Sequence, residues 1–394
     1  MNLLVISHKE TWADPRSPSG YCTVGGFPFQ MRALSEQFDQ TTLLVLQRKG
    51  PPPAGALPLQ GHNLSVHTLP EPPGRNWGRK LSLIFWLPRH LPALRRMIRQ
   101  ADAVHTPVPG DLGEIGMCEA LRQKKRLYVR HCGRWGIPSS FLDAWLQRFL
   151  TRQAGGRLVV MATGGSSSLP SAKNPNITWI FSSSLTRNEM DHLPAAHTWQ
   201  PGDPLRLVSV GRLLPGKNFA ALIEALPAIQ GEVPAVTLDI FGSGSQQSEL
   251  EALAQKHGVE GAVRFHGNLP HSDVLRHLAE AHIFVFPTFS EGFPKALLEA
   301  MACGLVVVAS PVSVIPHLLA GEAGLLLDGF SAEDISRAVL SLVQVPEQMK
   351  TLGGNARSVA RQYTLEAWGD CIRDRLERAW GEKLRSGVGG AEDE

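Results

Sequence analysis

At 394 residues, with 43% hydrophobic and 19% charged residues, 38 glycines and 29 prolines, the chain has room for two or three domains. That make-up excludes a disordered or fibrous protein. The net charge is only +3, and five scattered cysteines (Cys22, Cys118, Cys132, Cys303, Cys371) form no Cys-x-x-Cys pair and no zinc-spaced cluster, so neither a disulfide framework nor a structural metal is expected and a reducing cytoplasm is.

The opening "MNLLVISHKE" carries a short apolar run with no basic n-region or cleavage site and reads as a first strand, not an export signal. Further strands follow in "TTLLVLQ", "LSVHTLP", "ADAVHTPVP", "RLYVRHCG" and "RLVVMAT", with helices near 26–38, 81–100 and 111–124. Between Glu71 and Asp102 there is no acid, while Arg75, Arg79, Lys80, Arg89, Arg95, Arg96 and Arg99 surround "LSLIFWL" together with Trp77 and Trp86. That run is far short of the roughly 20 residues that span a bilayer. The 75–99 segment reads either as a docking face for an anionic membrane surface or a phosphate-bearing acceptor, or as a solvated helix face; "RQKKRLYVRHCGR" (122–134) adds a second basic cluster. No nucleic-acid module is visible.

The second half alternates regularly. Apolar strands "LRLVSVG", "VTLDIFG", "AVRFHG", "HIFVFP", "GLVVVAS" and "GLLLD" are separated by helical patterns such as "NFAALIEALPAI" and "HSDVLRHLAEA". This is βαβ periodicity, which predicts a parallel sheet covered on both faces. The chain therefore divides into an N-terminal Rossmann-like domain over 1–190, a linker over 191–203 rich in proline and polar residues, and a C-terminal Rossmann-like domain over 204–363. An amphipathic helix over 364–384 is expected to pack back on the first domain, ahead of a disordered tail over 386–394. Open sheets of this kind take ligands at the carboxyl ends of their strands.

At one such end lies "SEGFPKALLEA" (290–300). Pro294 fits the first helical position, and the free N–H groups and positive end of the helix that starts there suit a diphosphate. Glu291 and Glu299 stand eight positions apart, about 12 Å if helical throughout. That spacing suits the hexose and ribose of a nucleotide sugar, each carboxylate accepting bonds from hydroxyl groups. A capping carboxylate and a solvent-facing helical glutamate are the plainer alternatives.

"SEGFPKALLEAMACGLVVVAS" resembles the E-x7-E signature of the retaining glycosyltransferases of family four. The likeness continues through "VSVGRLLPGKNFAALIEAL" (208–226), "LDIFGSGSQQSEL" and "VRFHGNLPHSDV", covering residues 204–345 in the family's order. It implies the GT-B architecture, an α/β fold of two facing Rossmann-like doubly wound domains with an interdomain cleft. It also implies that Arg212 and Lys217 bind the donor diphosphate without a metal or other cofactor. The sugar would rest on Glu291 and on the backbone of Gly292, Phe293, Pro294 and Lys295, with Glu299 on the ribose. Gly242 and Gly244 would let the nucleotide approach, and Phe265 and His266 would lie near the base. In the first half "TVGGFPFQMRAL" is similar to the family's glycine pair between first strand and first helix, placing Gly25 and Gly26 beside phosphate and acceptor. His131 in "YVRHCGRWG" looks like the active-site histidine. Two segments depart from the pattern: "WIFSSSLTRNEM" (179–190) replaces the usual N-G-V-D stretch, and "VSVIPHLL" (312–319) replaces G-G-I-P-E.

The function so implied is transfer of a hexose, with retention, from a UDP- or GDP-sugar to a hydroxyl of a saccharide or lipid-linked acceptor in polysaccharide or glycolipid synthesis. The catalytic set would be His131, Glu291, Arg212 and Lys217, in a cytoplasmic protein peripheral to the inner membrane face. A silent nucleotide-sugar binder and a sugar-nucleotide epimerase on the same architecture are the rival readings.

Overall fold

The computed structural model describes residues 1–385 apart from 75, 166–168, 182 and 195–198. Arg75 and the 386–394 tail therefore lie outside the described residues, as do the side chains of Trp77 and Lys80. The chain forms two compact units. One runs from Met1 to Thr163 and is rejoined by the 168–180 stretch and by the chain from Trp368 onward; the other runs from Phe181 to Ala367, with the stretch beginning at Gly164.

In chain order the first unit contains β1 (Asn2–Ala13), β2 (Tyr21–Thr23), α1 (Phe27–Ser35), β3 (Gln40–Gln47), β4 (Leu57–Pro58), β5 (Leu64–Pro70), α2 (Asn76–Gln100), β6 (Ala103–Val108), α3 (Asp111–Arg122), β7 (Arg126–His131), α4 (Phe141–Gln153), β8 (Leu158–Ala162) and β9 (Ile177–Trp179). Seven of these strands form a parallel run, β5-β3-β1-β6-β7-β8-β9; β2 and β4 add antiparallel pairs at the far end of β1. Because alternate residues of a strand face opposite ways, β7 gives Leu127 and Val129 to one apolar layer and Tyr128 to the other. Helices α2, α3 and α4 cover the first layer, α1 the second. The sequence places the glycine pair between the first strand and the first helix; β2 in fact intervenes, because the first strand runs well past its apolar stretch and its end pairs with β2 through Trp12 and Cys22.

The second unit follows with α5 (Arg187–His192), β10 (Arg206–Val210), α6 (Phe219–Glu232), β11 (Thr237–Phe241), α7 (Gln247–Lys256), β12 (Val263–Gly267), α8 (His271–Glu280), β13 (Ile283–Phe286), α9 (Lys295–Ala302), β14 (Val306–Ala309), α10 (Ile315–Leu318), β15 (Leu325–Leu326), α11 (Ala332–Gln344) and α12 (Pro346–Ala360). All six strands predicted from the alternating pattern are present, in the order β12-β11-β10-β13-β14-β15 and all parallel. Two helices of this unit, α5 and α11, begin at a capping box. Ser331 accepts from the Asp334 N–H while Asp334 accepts from Ser331, a reciprocal box that starts α11.

The described residues of the expected linker, 191–194 and 199–203, belong to the second unit. Trp199 is buried in the second unit's core and its indole N–H donates to the Asp203 carbonyl at 2.9 Å. Proline and polar residues there mark an irregular path, whereas the boundary is set by which core buries the side chains, and it falls at 180/181 and 367/368. The last helix, α13 (Leu365–Trp380), is crossed by that division. From its first turn on, Trp368, Ile372, Leu376 and Trp380 fall at helical spacing and bury against Leu3, Val5, Met31 and Tyr128 of the first unit. Each such side chain contributes roughly 1.5–3 kcal/mol of burial.

Candidate active site in the second unit

Strand order reverses direction between β10 and β13, the point at which an open parallel sheet leaves a crevice beyond its carboxyl ends. The loops that leave these two strands carry the predicted site residues. After β10 the chain passes Arg212, makes a single 3-10 turn over Pro215–Lys217 and turns into α6 through Asn218, which sits at φ 57° and donates through its side chain to the Phe330 carbonyl at 2.9 Å. After β13 it passes Thr288, Glu291 and Gly292 before α9.

Lys217 and Glu291, 74 residues apart, are joined as a half-buried ion pair, and the Lys217 ammonium also lies 5.3 Å from the centre of the Phe286 ring. Thr288 fixes the two loops together. Its buried hydroxyl donates to the Gly216 carbonyl at 3.0 Å, and the next N–H, of Phe289, reaches the same oxygen at 3.0 Å. Arg212 is exposed and its guanidinium has no ion-pair partner among the described residues. One cation is thus held and one is left open to an anion.

Gly242 and Gly244 are required for a different reason from the one the sequence offers. A Cβ on Gly242 would stand 2.0 Å from the Gly211 carbonyl oxygen, and one on Gly244 2.2 Å from that of Leu213. Bonds from Gly211 N–H to Phe241 O (2.9 Å) and from Leu213 N–H to Ser243 O (3.0 Å) draw the two loops together. These glycines admit the chain's own backbone, and so hold Arg212 in place.

The turn around Glu291 also differs from expectation. Pro294 is the cap residue (φ −84°, ψ 81°) and α9 starts at Lys295, so only five of the positions from Glu291 to Glu299 are helical and the 12 Å helical spacing does not apply. Phe293 stacks on Phe181 with centroids 4.8 Å apart and planes 8° apart. That partner comes from the 179–190 segment that departs from the family pattern. The second departure, 312–319, is compensated as well. Ser313 takes the left-handed conformation (φ 55°) that glycine would favour, donates from Oγ to the Gly292 carbonyl at 2.9 Å and accepts from the Gly165 N–H at 3.1 Å.

Glu299 is 6% exposed, and its Oε1 meets His271 Nε2 of α8 at 3.0 Å. The carboxylate raises the His271 pKa, outweighing the opposing effect of burial. Phe265 packs on the second unit's core, and His266 stacks on Phe241 (4.4 Å) with its Nε2 2.6 Å from Asp239 Oδ1. Arg264 and His266 line a cavity of about 740 Å³ reaching Arg206 and Thr237 at the amino ends of the strands, not the switch-point loops.

The remaining predicted residues belong to the first unit. Gly25 takes φ 76° in open space and Gly26 caps α1 without a side-chain bond. His131 ends β7 with no exposed surface. Its Nε2 lies 3.0 Å from Asp143 Oδ1, and its edge rests on Trp135. Asp143 also accepts from the Ser139 N–H at 2.8 Å and from Gln147 at 3.1 Å. Burial lowers the His131 pKa in spite of this carboxylate. Burial pushes Asp143 up, but bonds from Ser139, His131 and Gln147 bring it below its ordinary value. In this structure His131 is an enclosed, partnered side chain.

Residues 196–359 match the family model of glycosyl transferases, group 1. This match lies wholly within the second unit. The match takes in both switch-point loops. A GDP-mannose-dependent mannosyltransferase of phosphatidylinositol monomannoside from Corynebacterium glutamicum is 30% identical over 174 residues, 42% of this chain and 45% of that protein. The chain thus matches less than half the length of such curated relatives. Two solved structures extend the likeness over nearly all of it. WaaG, a glycosyltransferase involved in lipopolysaccharide biosynthesis, covers 97% of this chain and is itself covered completely (100%), with a TM-score of 0.62 at 15% identity. Anabaena HepE in complex with UDP covers 96%, is also covered completely (100%), and gives 0.69 at 16% identity. At these identities the likeness is one of fold, and the fold class is GT-B. Thr288, Ser313 and His271 are the positioning residues that motif spacing did not single out; only the departure at 312–319 pointed near one of them.

Proposed function

We propose that this chain is a retaining hexosyltransferase that moves a hexose from a UDP- or GDP-sugar to a hydroxyl of a saccharide or lipid-linked acceptor in polysaccharide or glycolipid synthesis. The observation that carries this is the Lys217–Glu291 pair at the switch point, with Arg212 exposed in the same loop as Lys217. A pyrophosphate arriving there meets the open guanidinium first and then competes for Lys217. As the ammonium turns to phosphate, the Glu291 carboxylate is released to accept bonds from sugar hydroxyls. The two cations balance the charge that builds on the departing diphosphate, so the reaction is proposed to need no metal. In a retaining transfer the diphosphate oxygen can take the acceptor proton on the same face of the sugar. Glu299 is proposed for the ribose, exchanging its His271 partner for hydroxyls, and the backbone of Gly292 to Lys295 for the hexose. For His131 to reach a sugar, the Trp135 to Asp143 segment that encloses it has to open. Gly25 and Gly26 are proposed to offer backbone N–H groups to phosphate or acceptor.

The relatives named above are consistent with this donor class: one is named for GDP-mannose, and one solved neighbour holds UDP. No helix among the described residues is long and apolar enough to cross a membrane, and a peripheral place on the inner membrane face, reached through residues 75–99, completes the proposal. The test is a thermal-shift screen with UDP, GDP and ADP and their sugars, followed by product analysis with Glu291→Gln. Donor-dependent stabilisation together with transfer or slow donor hydrolysis, both lost in the variant, is the expected result. Saturable binding without turnover points to a silent binder, and an altered sugar nucleotide without acceptor points to an epimerase.

A further inference from the structure

We propose that the cavity at the amino ends of the second unit's strands is a binding site for a small phosphate ester that carries hydroxyl groups, such as a sugar phosphate. The proposal does not rest on the transferase reading. A parallel sheet covered on both faces carries apolar side chains on both. On one face of β11, Leu238 and Ile240 follow this rule and enter the core. The other face departs from it. Thr237 lies beside Arg206 of β10 and Asp239 beside Arg264 of β12, and paired residues of a parallel sheet point the same way. These four side chains line the cavity of about 740 Å³, together with His266 and with His277 and Glu280 from the end of α8. A volume of that order takes a small ligand.

Charge decides what fits. The acids of the cavity have partners: Asp239 Oδ1 lies 2.6 Å from His266 Nε2, and Glu280 lies 3.9 Å from His277 Nδ1 and 4.0 Å from Arg276. The cations lack them. Among the described residues the exposed Arg206 side chain reaches only a backbone oxygen, that of Glu280 at 3.4 Å, and the exposed Arg264 has neither an ion pair nor a hydrogen bond. Arg264 alone, on the edge strand β12, is explained as a guard against edge pairing. Arg206 is not, because β10 has a strand on each side. The roots of the two arginines stand about 10 Å apart across the strands and about 7 Å along them, flanking the floor that Thr237 and Asp239 make. A carboxylate balances one guanidinium; a phosphate monoester, with nearly two charges, balances both and matches their forked donors. Bare phosphate leaves most of the volume unfilled, whereas hydroxyl groups on an ester meet the second oxygen of Asp239, the Thr237 hydroxyl and the Gln230 amide. The loop bearing Arg212 and Lys217 leaves the other end of β10, five residues and about 16 Å away, so the two sites are separate.

The experiment is thermal melting of the full chain titrated with glucose-6-phosphate, with inorganic phosphate or with sodium chloride at matched ionic strength, and with UDP in parallel. The ester is expected to raise the melting temperature saturably, inorganic phosphate to bind about tenfold more weakly, and chloride to give no saturable shift. Arg264→Ala removes a side chain without a partner, so the unliganded melt should stay put while affinity for the ester falls about tenfold or more, the scale of one hydrogen-bonded charge. Arg264→Lys should recover part of that loss. Arg206→Ala should act in the same direction, and Arg212→Ala should leave the ester response unchanged. The idea is overturned if no saturable shift is seen, if chloride reproduces it or if both phosphates bind equally. It is overturned too if Arg212→Ala abolishes the response while Arg264→Ala keeps it, which places the phosphate at the switch point. The UDP titration keeps the two proposals apart: an ester response without a UDP response counts against the transferase alone.

Discussion

Both units are built on parallel sheets whose strand order turns back at one point, between β1 and β6 in the first and between β10 and β13 in the second, yet individual histidines in them are treated in opposite ways. In the second unit charges are brought together at the strand ends: Lys217 meets Glu291, and His271 is raised by Glu299. In the first unit His105 and His131, on β6 and β7, are stripped of water and kept neutral. His105 is fully enclosed beside Tyr128 and lowered by burial to about 3, and His131 is lowered as well. A shared topology thus leaves the chemistry open; the loops and the degree of burial decide it.

The largest expected effect breaks the charged pair. Lys217→Ala should reduce turnover by about 10²–10³-fold, the usual scale for losing one preorganised electrostatic contact, with circular dichroism unchanged. Retained turnover in that variant would falsify the assignment of the leaving-group charge to this loop.

Acid should separate the units next. A group lowered on folding stabilises above its unfolded pKa near 6.5 and loses that contribution as pH falls toward the folded value. His105 places this loss in the first unit, on the order of 3 kcal/mol between pH 7 and 4, and His131 acts in the same direction. His271, raised on folding, does the reverse: its contribution is complete below about 6.5 and fades as pH rises through its folded pKa. Hydrogen exchange resolved by unit reads both trends, and parallel loss of protection in the two units at pH 4 would contradict the contrast.

Glycine substitutions sharpen it further. Gly244→Ala drives a methyl against the Leu213 carbonyl and should cost the second unit about 2–3 kcal/mol, measured by denaturant melts. Gly25→Ala meets nothing within 4 Å and carries only the left-handed penalty of about 1 kcal/mol. Equal costs at the two sites would show that close backbone approach is not what the second unit's glycines provide. The smallest effect belongs to Ser313. Ser313→Gly relieves the φ 55° conformation and Ser313→Ala keeps it, but both lose the bond to Gly292. On the proposed function, both should raise the donor KM about threefold with kcat little changed, while only the alanine variant melts lower.

Much of the second unit was legible because its strands are continuous runs of valine, isoleucine and phenylalanine separated by amphipathic helices, a pattern that specifies a parallel sheet with little help from distant residues. The loop after β10 was legible too, since a strand-end glycine, an adjacent arginine and a lysine near a helix start are local features. The domain boundary was not: Trp199 looks like part of a polar connector until the core that buries it is known.

By itself the sequence determined the doubly wound α/β class, the six strands of the second sheet and which loops leave the carboxyl ends of its strands, because periodicity and turn chemistry act over a few residues. Only the tertiary structure decided that Lys217 meets Glu291, that Glu299 meets His271, that Gly242 and Gly244 face backbone, and that Asp143 turns inward while Phe141 and Trp145 remain outside. Those outcomes depend on contacts across many residues of separation and on which face of each helix finds a core to cover, quantities that no local pattern encodes.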